Sequence, residues 1–127
     1  MHSKLPSIVK SNHRIQRICL STNTECNLAC RYCYFNDPNR DLISQKPLKS
    51  TEILTILEKV EEYRRSVNEF FSIKINFVGS GEPLLSWNDI KTAIKLLNER
   101  FPNHKLKFYT VTNGILLSRK ILNEMKD

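Results

Sequence analysis

Apolar residues recur along this chain with two alternating periods. Ile53, Leu54, Ile56, Leu57 and Val60 fall on one side of a helix, with Glu58, Lys59, Glu61, Glu62, Arg64 and Arg65 on the other. The spacing predicts a helix over about 51–66, with Ser50 as N-cap and Glu52 in the first turn, where the helix dipole favours an anion. A second helical stripe, Ile90, Ala93, Ile94 and Leu97, follows Ser86, and Ser86 with Asp89 approximates a capping box. Phe101, Pro102 and Asn103 end that helix. A third, shorter pattern opens at Ser118, with Ile121, Leu122 and Met125 expected to face inward. Between these stretches the period shortens to that of a strand. Ile15–Thr22 (IQRICLST), Phe71–Val78 (FSIKINFV) and Leu106–Thr112 (LKFYTVT) are the predicted strands, rich in β-branched and aromatic residues.

The order is therefore strand, helix, three times over, which implies parallel strands joined by right-handed crossovers. Three parallel strands leave two edges open and offer little area to bury, whereas parallel sheets prefer several strands with both faces covered. The expected fold class is α/β, parallel strand–helix units forming the first half of a partial (βα)6 TIM-like barrel. Residues 1–14 are expected to form a polar N-terminal segment. Residues 15–127 are expected to be the front part of a longer domain.

Composition changes this picture little. The 127 residues are 40% hydrophobic and 26% charged, ordinary for a globular protein. Twenty basic against thirteen acidic side chains give +7, a balance that favours anionic partners. The basic residues are scattered, several beside Glu or Asp at helix-surface spacing, so a solvated surface is expected and nucleic acid is not expected as a partner. No stretch reaches the ~18–20 apolar residues of a membrane span, and the polar start lacks the apolar core of a secretory signal. A cytoplasmic location is expected, where cysteines serve as thiols or ligands more often than as disulfides.

The cysteines carry the chemistry. Thr24–Phe35 reads TECNLACRYCYF, and Cys26, Cys30 and Cys33 stand within eight residues. Four thiolates close an iron–sulfur cluster, as in electron carriers, whereas three leave one iron open to an outside molecule. An open position is what separates catalytic from structural metal sites. A structural zinc site would need a fourth ligand from Cys19, His2, His13 or His104, none of which forms a second paired hook. A small basic zinc-binding, nucleic-acid-binding module is the alternative, with Tyr32, Tyr34 and Phe35 available for stacking on bases. Cys19 itself reads as a core thiol on the first strand.

Two further motifs follow the other strands, at the carboxyl ends where parallel α/β folds gather ligands. Gly79-Ser80-Gly81-Glu82-Pro83 follows the second strand and Thr112-Asn113-Gly114 the third. Each alone is as readily an ordinary turn. Three on one rim make a site.

Together, STNTECNLACRYCYF, FVGSGEPLL and TVTNG resemble the radical S-adenosylmethionine (SAM) enzymes, in the subgroup of anaerobic sulfatase-maturating enzymes and peptide maturases. The resemblance implies a 4Fe–4S cluster held by Cys26, Cys30 and Cys33, with SAM chelating the open iron through its amino and carboxylate groups. It implies reductive cleavage of SAM to a 5′-deoxyadenosyl radical that abstracts hydrogen from a substrate, here a peptide or protein side chain. By the same resemblance Tyr32 lies against the adenine. Gly79, Ser80, Gly81, Glu82 and Pro83 hold the methionine end, with Glu82 facing the ammonium, and Thr112 and Asn113 line the same cavity. Flavodoxin or ferredoxin is the expected electron donor. The family's glycine pair appears here as Ser80-Gly81. Only three of about six family strand–helix units are visible, so the chain is expected to be a fragment with an incomplete active site.

Overall fold

The computed structural model describes residues 16–24, 46–68, 71–78 and 81–126. Strand β1 is Arg17–Leu20, helix α1 Ser50–Ser66, β2 Ile73–Phe77, α2 Trp87–Arg100, β3 Leu106–Thr110 and α3 Arg119–Lys126, with a 3-10 turn over Pro83–Ser86 before α2. The strands form one parallel sheet in the order β1-β2-β3, in the arrangement expected from the alternating periods.

Parallel pairing in register sorts the side chains into two faces, because successive residues of a strand point to opposite sides. Ile73, Ile75 and Phe77 of the central strand are buried, and Ile18, Leu20 and Phe108 pack beside them. Ile53 and Leu57 of α1 and Ile90, Ala93 and Leu97 of α2 close over that face. Each fully buried aliphatic side chain contributes roughly 1.5–3 kcal/mol, so this single layer supplies most of the cohesion. Both helices lie on the same side of the sheet. The other face, with Arg17, Cys19, Lys74, Lys107 and Tyr109, is exposed. Cys19 is therefore not the core thiol that its place in an apolar strand suggested: the register turns it away from the helices.

The helix starts differ from the expected caps for one reason: the polar groups serve neighbours. Lys49 occupies the N-cap of α1, with its N–H donating to Glu52 Oε1 at 3.2 Å. The Ser50 N–H instead donates to Asp89 Oδ1 of α2 at 3.0 Å, so Asp89 caps the adjacent helix. Ser86 makes no side-chain cap on α2, because its hydroxyl is occupied by the β1 end. Ser118, where the third helical pattern opens, does cap its helix, its hydroxyl accepting from the Ile121 N–H at 3.2 Å.

Helix α3 has no buried residue. Leu122 and Met125 are exposed where the stripe predicted an inward face. The helix is held through Glu124, which accepts from Trp87 Nε1 and Lys91 Nζ of α2, each at 2.9 Å. Those two bonds lower the Glu124 pKa. A groove of about 740 Å³ separates α3 from α2 and β3, so the apolar stripe has no surface to press on among the described residues.

At the amino end of the sheet, two charges expected on the solvent side of α1 are buried. Glu61 and Arg64 pair at 2.9 Å, and the guanidinium also donates to the Phe71 carbonyl, tying α1 to the start of β2. Removing one member of such a pair strands the other charge, at a cost of about 3–5 kcal/mol, whereas replacing both with apolar groups of like volume is often neutral. Glu61→Ala is therefore expected to lower urea stability by about 3 kcal/mol. Glu61→Leu with Arg64→Met should recover most of that loss, and a double variant no better than the single one would contradict this account.

His104, beside that pair, accepts from the Leu106 N–H through Nδ1 at 3.1 Å, with Nε2 facing Asn98 Oδ1. Burial lowers its pKa from 6.5, with Arg64 and Arg65 adding to the shift and Glu61 opposing it. Above 6.5 both folded and unfolded chains hold the ring neutral, and the full stability is present. As pH falls, the unfolded chain takes up the proton first, so stability drops and then levels off below the depressed folded value. Chemical denaturation across that window should show this component in the wild type and lose it in His104→Gln.

Candidate functional site at the carboxyl ends of the strands

The three strands end at one rim, and a buried polar network joins their ends. After β1, Thr22 and Asn23 are buried. The Leu48 N–H donates to the Thr22 carbonyl at 2.8 Å, so the chain returns to the point from which the cysteine segment departs. Asn23 Nδ2 donates to the Glu82 carbonyl at 3.1 Å and to Ser86 Oγ at 2.7 Å, fastening β1 to the turn after β2. Gly81 lies hard against the same residue. A Cβ there would stand 2.0 Å from Asn23 Oδ1 and 2.5 Å from the Asn23 carbonyl oxygen. Only glycine fits.

Glu82 is the centre of the network and is 4% exposed. Its Oε1 accepts from the Leu84 N–H at 3.3 Å and from the Thr112 hydroxyl, and its Oε2 accepts from the Asn113 N–H at 3.0 Å. Pro83 follows at the first position of the 3-10 turn, where its missing N–H leaves no unpaired donor. Beyond β3, Thr112 Oγ1 accepts from the Gly114 N–H and Asn113 Oδ1 from the Ile115 N–H, each at 3.1 Å. Gly114 has φ of +83°, the left-handed conformation that lets the turn close.

Gly81, Glu82, Pro83, Thr112 and Asn113 are thus brought together, as the rim motifs predicted. A carboxylate has about four acceptor directions, and Glu82 gives three to its own chain. Cys26, Cys30, Cys33, Tyr32, Gly79 and Ser80 lie outside the described residues. Asn23 and Ser86 were missed. A single Asn upstream of a cysteine motif and a Ser that mimics an N-cap carry no sign of a contact across about 60 residues.

The donor chemistry suits an iron–sulfur cluster: three thiols in the segment that leaves this rim at Thr24 are soft ligands of the kind iron–sulfur clusters take. Among the described residues no three His, Cys, Asp or Glu side chains gather into a metal site. Cys19 faces the open side of the sheet, and His104 precedes β3 at the opposite rim.

The two described glycines separate two costs. Gly81→Ala must displace Asn23 and is expected to destabilise the fold by about 1–3 kcal/mol through overpacking. Gly114→Ala meets open space and carries only left-handed backbone strain, about 1–2 kcal/mol. Urea unfolding should rank Gly81→Ala as the more damaging, with a weakened link between β1 and β2. The reverse order would show that Asn23 yields freely.

Comparison with known proteins agrees with this geometry. A profile of the radical SAM superfamily matches residues 20–127. A radical SAM cyclopropyl synthase, TigE, of Paramaledivibacter caminithermalis is 31% identical over 93% of this chain and 26% of its own length. A probable GTP 3′,8-cyclase of Methanococcus aeolicus is 33% identical over 91% of this chain and 35% of its own. An uncharacterized protein of Methanocaldococcus jannaschii is 29% identical over 89% and 35%. The chain therefore spans about a quarter to a third of the length of these relatives. The crystal structure of BtrN in complex with AdoMet and 2-DOIA superposes with a TM-score of 0.59 at 23% identity, over 89% of this chain and 42% of that one, and supports the α/β barrel-like fold. Other relatives are named as RNA methyltransferases and a FeMo cofactor biosynthesis protein, so the relatives do not single out the sulfatase-maturating or peptide-maturase subgroup. Members of the superfamily use a 4Fe–4S cluster and SAM. By its match over residues 20–127, this chain belongs to the radical SAM superfamily of enzymes.

Proposed function

We propose that this chain holds a 4Fe–4S cluster through Cys26, Cys30 and Cys33 and binds SAM along the rim formed by Gly79–Pro83 and Thr112–Gly114. The observation that carries the reading is the Glu82 network, which fixes the ends of β1, β2 and β3 beside the root of the cysteine segment. With cluster and SAM bound, the chemistry supplied is one-electron cleavage of SAM to methionine and a 5′-deoxyadenosyl radical that abstracts hydrogen from a substrate. The chain's own part is positional. Asn23 sets where the cysteine segment leaves the sheet, Gly81 lets that segment's root approach the turn, and Glu82 keeps the Asn113 loop against both. Three thiols without a fourth partner leave one coordination position for SAM.

The electron enters from a small reduced carrier such as flavodoxin or ferredoxin, and the cytoplasm is the compartment that suits such chemistry. Among the described residues no helix is long and apolar enough to cross a membrane. The narrower reading, a peptide or protein side chain as substrate, rests on the spelling of the motifs alone. Substrate turnover is not expected from this chain by itself, since a three-stranded sheet encloses little of a radical intermediate.

Anaerobic reconstitution with iron and sulfide, then electron paramagnetic resonance of the reduced protein with and without SAM, tests the reading. A 4Fe–4S signal that shifts on adding SAM is expected. Cys30→Ala should abolish cluster retention and Cys19→Ala should preserve it, because Cys19 stands within β1 on the open face. Equal losses would make Cys19 a ligand, and a folded protein that takes up zinc and no cluster would move the assignment to the nucleic-acid module.

A further inference from the structure

The open face of the sheet carries a row of three cations. Register places Arg17, Lys74 and Lys107 side by side across β1, β2 and β3, and side-chain alternation puts all three opposite the helices. All three are exposed, and none is in a salt bridge among the described residues. Four helix-borne cations, Arg64, Arg65, Lys91 and Arg100, each have a glutamate, whereas Lys59, Lys95, Arg119, Lys120 and Lys126 stand singly on helix surfaces and form no row. Within the three strands the open face holds no Asp or Glu; its other members are Cys19, Asn76 and Tyr109. Lys74 Nζ lies over the Tyr109 ring, 5.4 Å from its centroid.

Like charges directly opposite each other on paired strands destabilise a sheet. An anion seated on the row relieves that repulsion. Three cations across two inter-strand spacings cover roughly 10 Å, the footprint of one compact, multiply charged group and too narrow for an extended polyanion. A single carboxylate would leave two of the three unpaired.

We infer that this row is the anion subsite of the substrate, and that the substrate is a phosphate-bearing small molecule. The inference rests on the proposed function in taking the rim as the place of reaction, and it replaces the peptide or protein side chain as the substrate. Lys74 stands four residues before Val78, about 13 Å along the strand. A lysine side chain spans part of that distance, so the substrate bridges less than about 13 Å between its phosphate and its reacting carbon. Asn76 and the Tyr109 ring, in the row between, offer a hydrogen-bonding amide and an aromatic face to its middle.

Calorimetric titration of the whole chain with tripolyphosphate at low ionic strength tests this, beside Lys74→Gln, Lys107→Gln, Lys74→Arg and Lys59→Gln. The last removes one exposed charge from α1 and serves as the control. Wild type, Lys59→Gln and Lys74→Arg should bind alike within about threefold, while Lys74→Gln and Lys107→Gln should each weaken binding by about tenfold. Absence of binding by the wild type, or equal weakening by Lys59→Gln, overturns the inference. Citrate or an acidic peptide of matched charge binding as tightly also overturns it, by making the ligand a carboxylate. The SAM-dependent resonance shift is read on the same samples. An intact shift without tripolyphosphate binding removes the subsite alone, and binding without the shift removes the reading on which it rests.

Discussion

A buried carboxylate holds this structure's working end together. Glu82 accepts from one donor in its own turn and two beyond β3, while its carbonyl accepts from Asn23 beyond β1. A carboxylate is an acceptor only, so its burial is tolerable when N–H and O–H groups converge on it. Donors drawn from two different strand ends make the interaction a register device as much as a stabilising one. Hydrogen bonds to a charged acceptor contribute about 1.5–3 kcal/mol each where they are well made. Loss of this clasp would loosen the relation among three loops before it disturbed the core beneath.

The two ends of the sheet are specialised in opposite senses. At the amino end, Glu61, Arg64 and the Phe71 carbonyl join α1 to β2, and His104 is pressed toward its neutral form. These contacts serve stability. At the carboxyl end the polar groups are arranged around the departure point of three thiols. The buried ion pair and the polar clasp thus lie at opposite ends of the strands, as stability and reaction do in parallel α/β barrels generally.

The faces are specialised as well. One side of the sheet is closed by two helices through aliphatic contacts, and the other carries cations, an amide and an aromatic ring. The side of a parallel strand turned from its helices is ordinarily apolar or packed. Here it carries Arg17, Lys74 and Lys107, so the apolar content of β1 and β3 is confined to alternate positions.

The sequence by itself determined the order of elements and the place of the three motifs. Both depend on local periodicity and on strand ends: Ile53 to Val60 repeats as a helix must, and the cysteines and glycines follow runs that can only be strands. The spacing of Cys26, Cys30 and Cys33 is local, so the proposal that they hold a cluster comes from the sequence alone. What only the tertiary structure decided is where long-range polar groups went. Asn23 and Ser86, Ser50 and Asp89, and Arg64 and the Phe71 carbonyl are pairs set by packing between elements. No local pattern encodes them. The same reason turned Cys19 outward and left the stripe of α3 uncovered. A strand has two apolar-compatible sides, and a helical stripe names a face without naming what covers it. Only the register of β1 against β2, and the seat of α2 beside α1, chose between them.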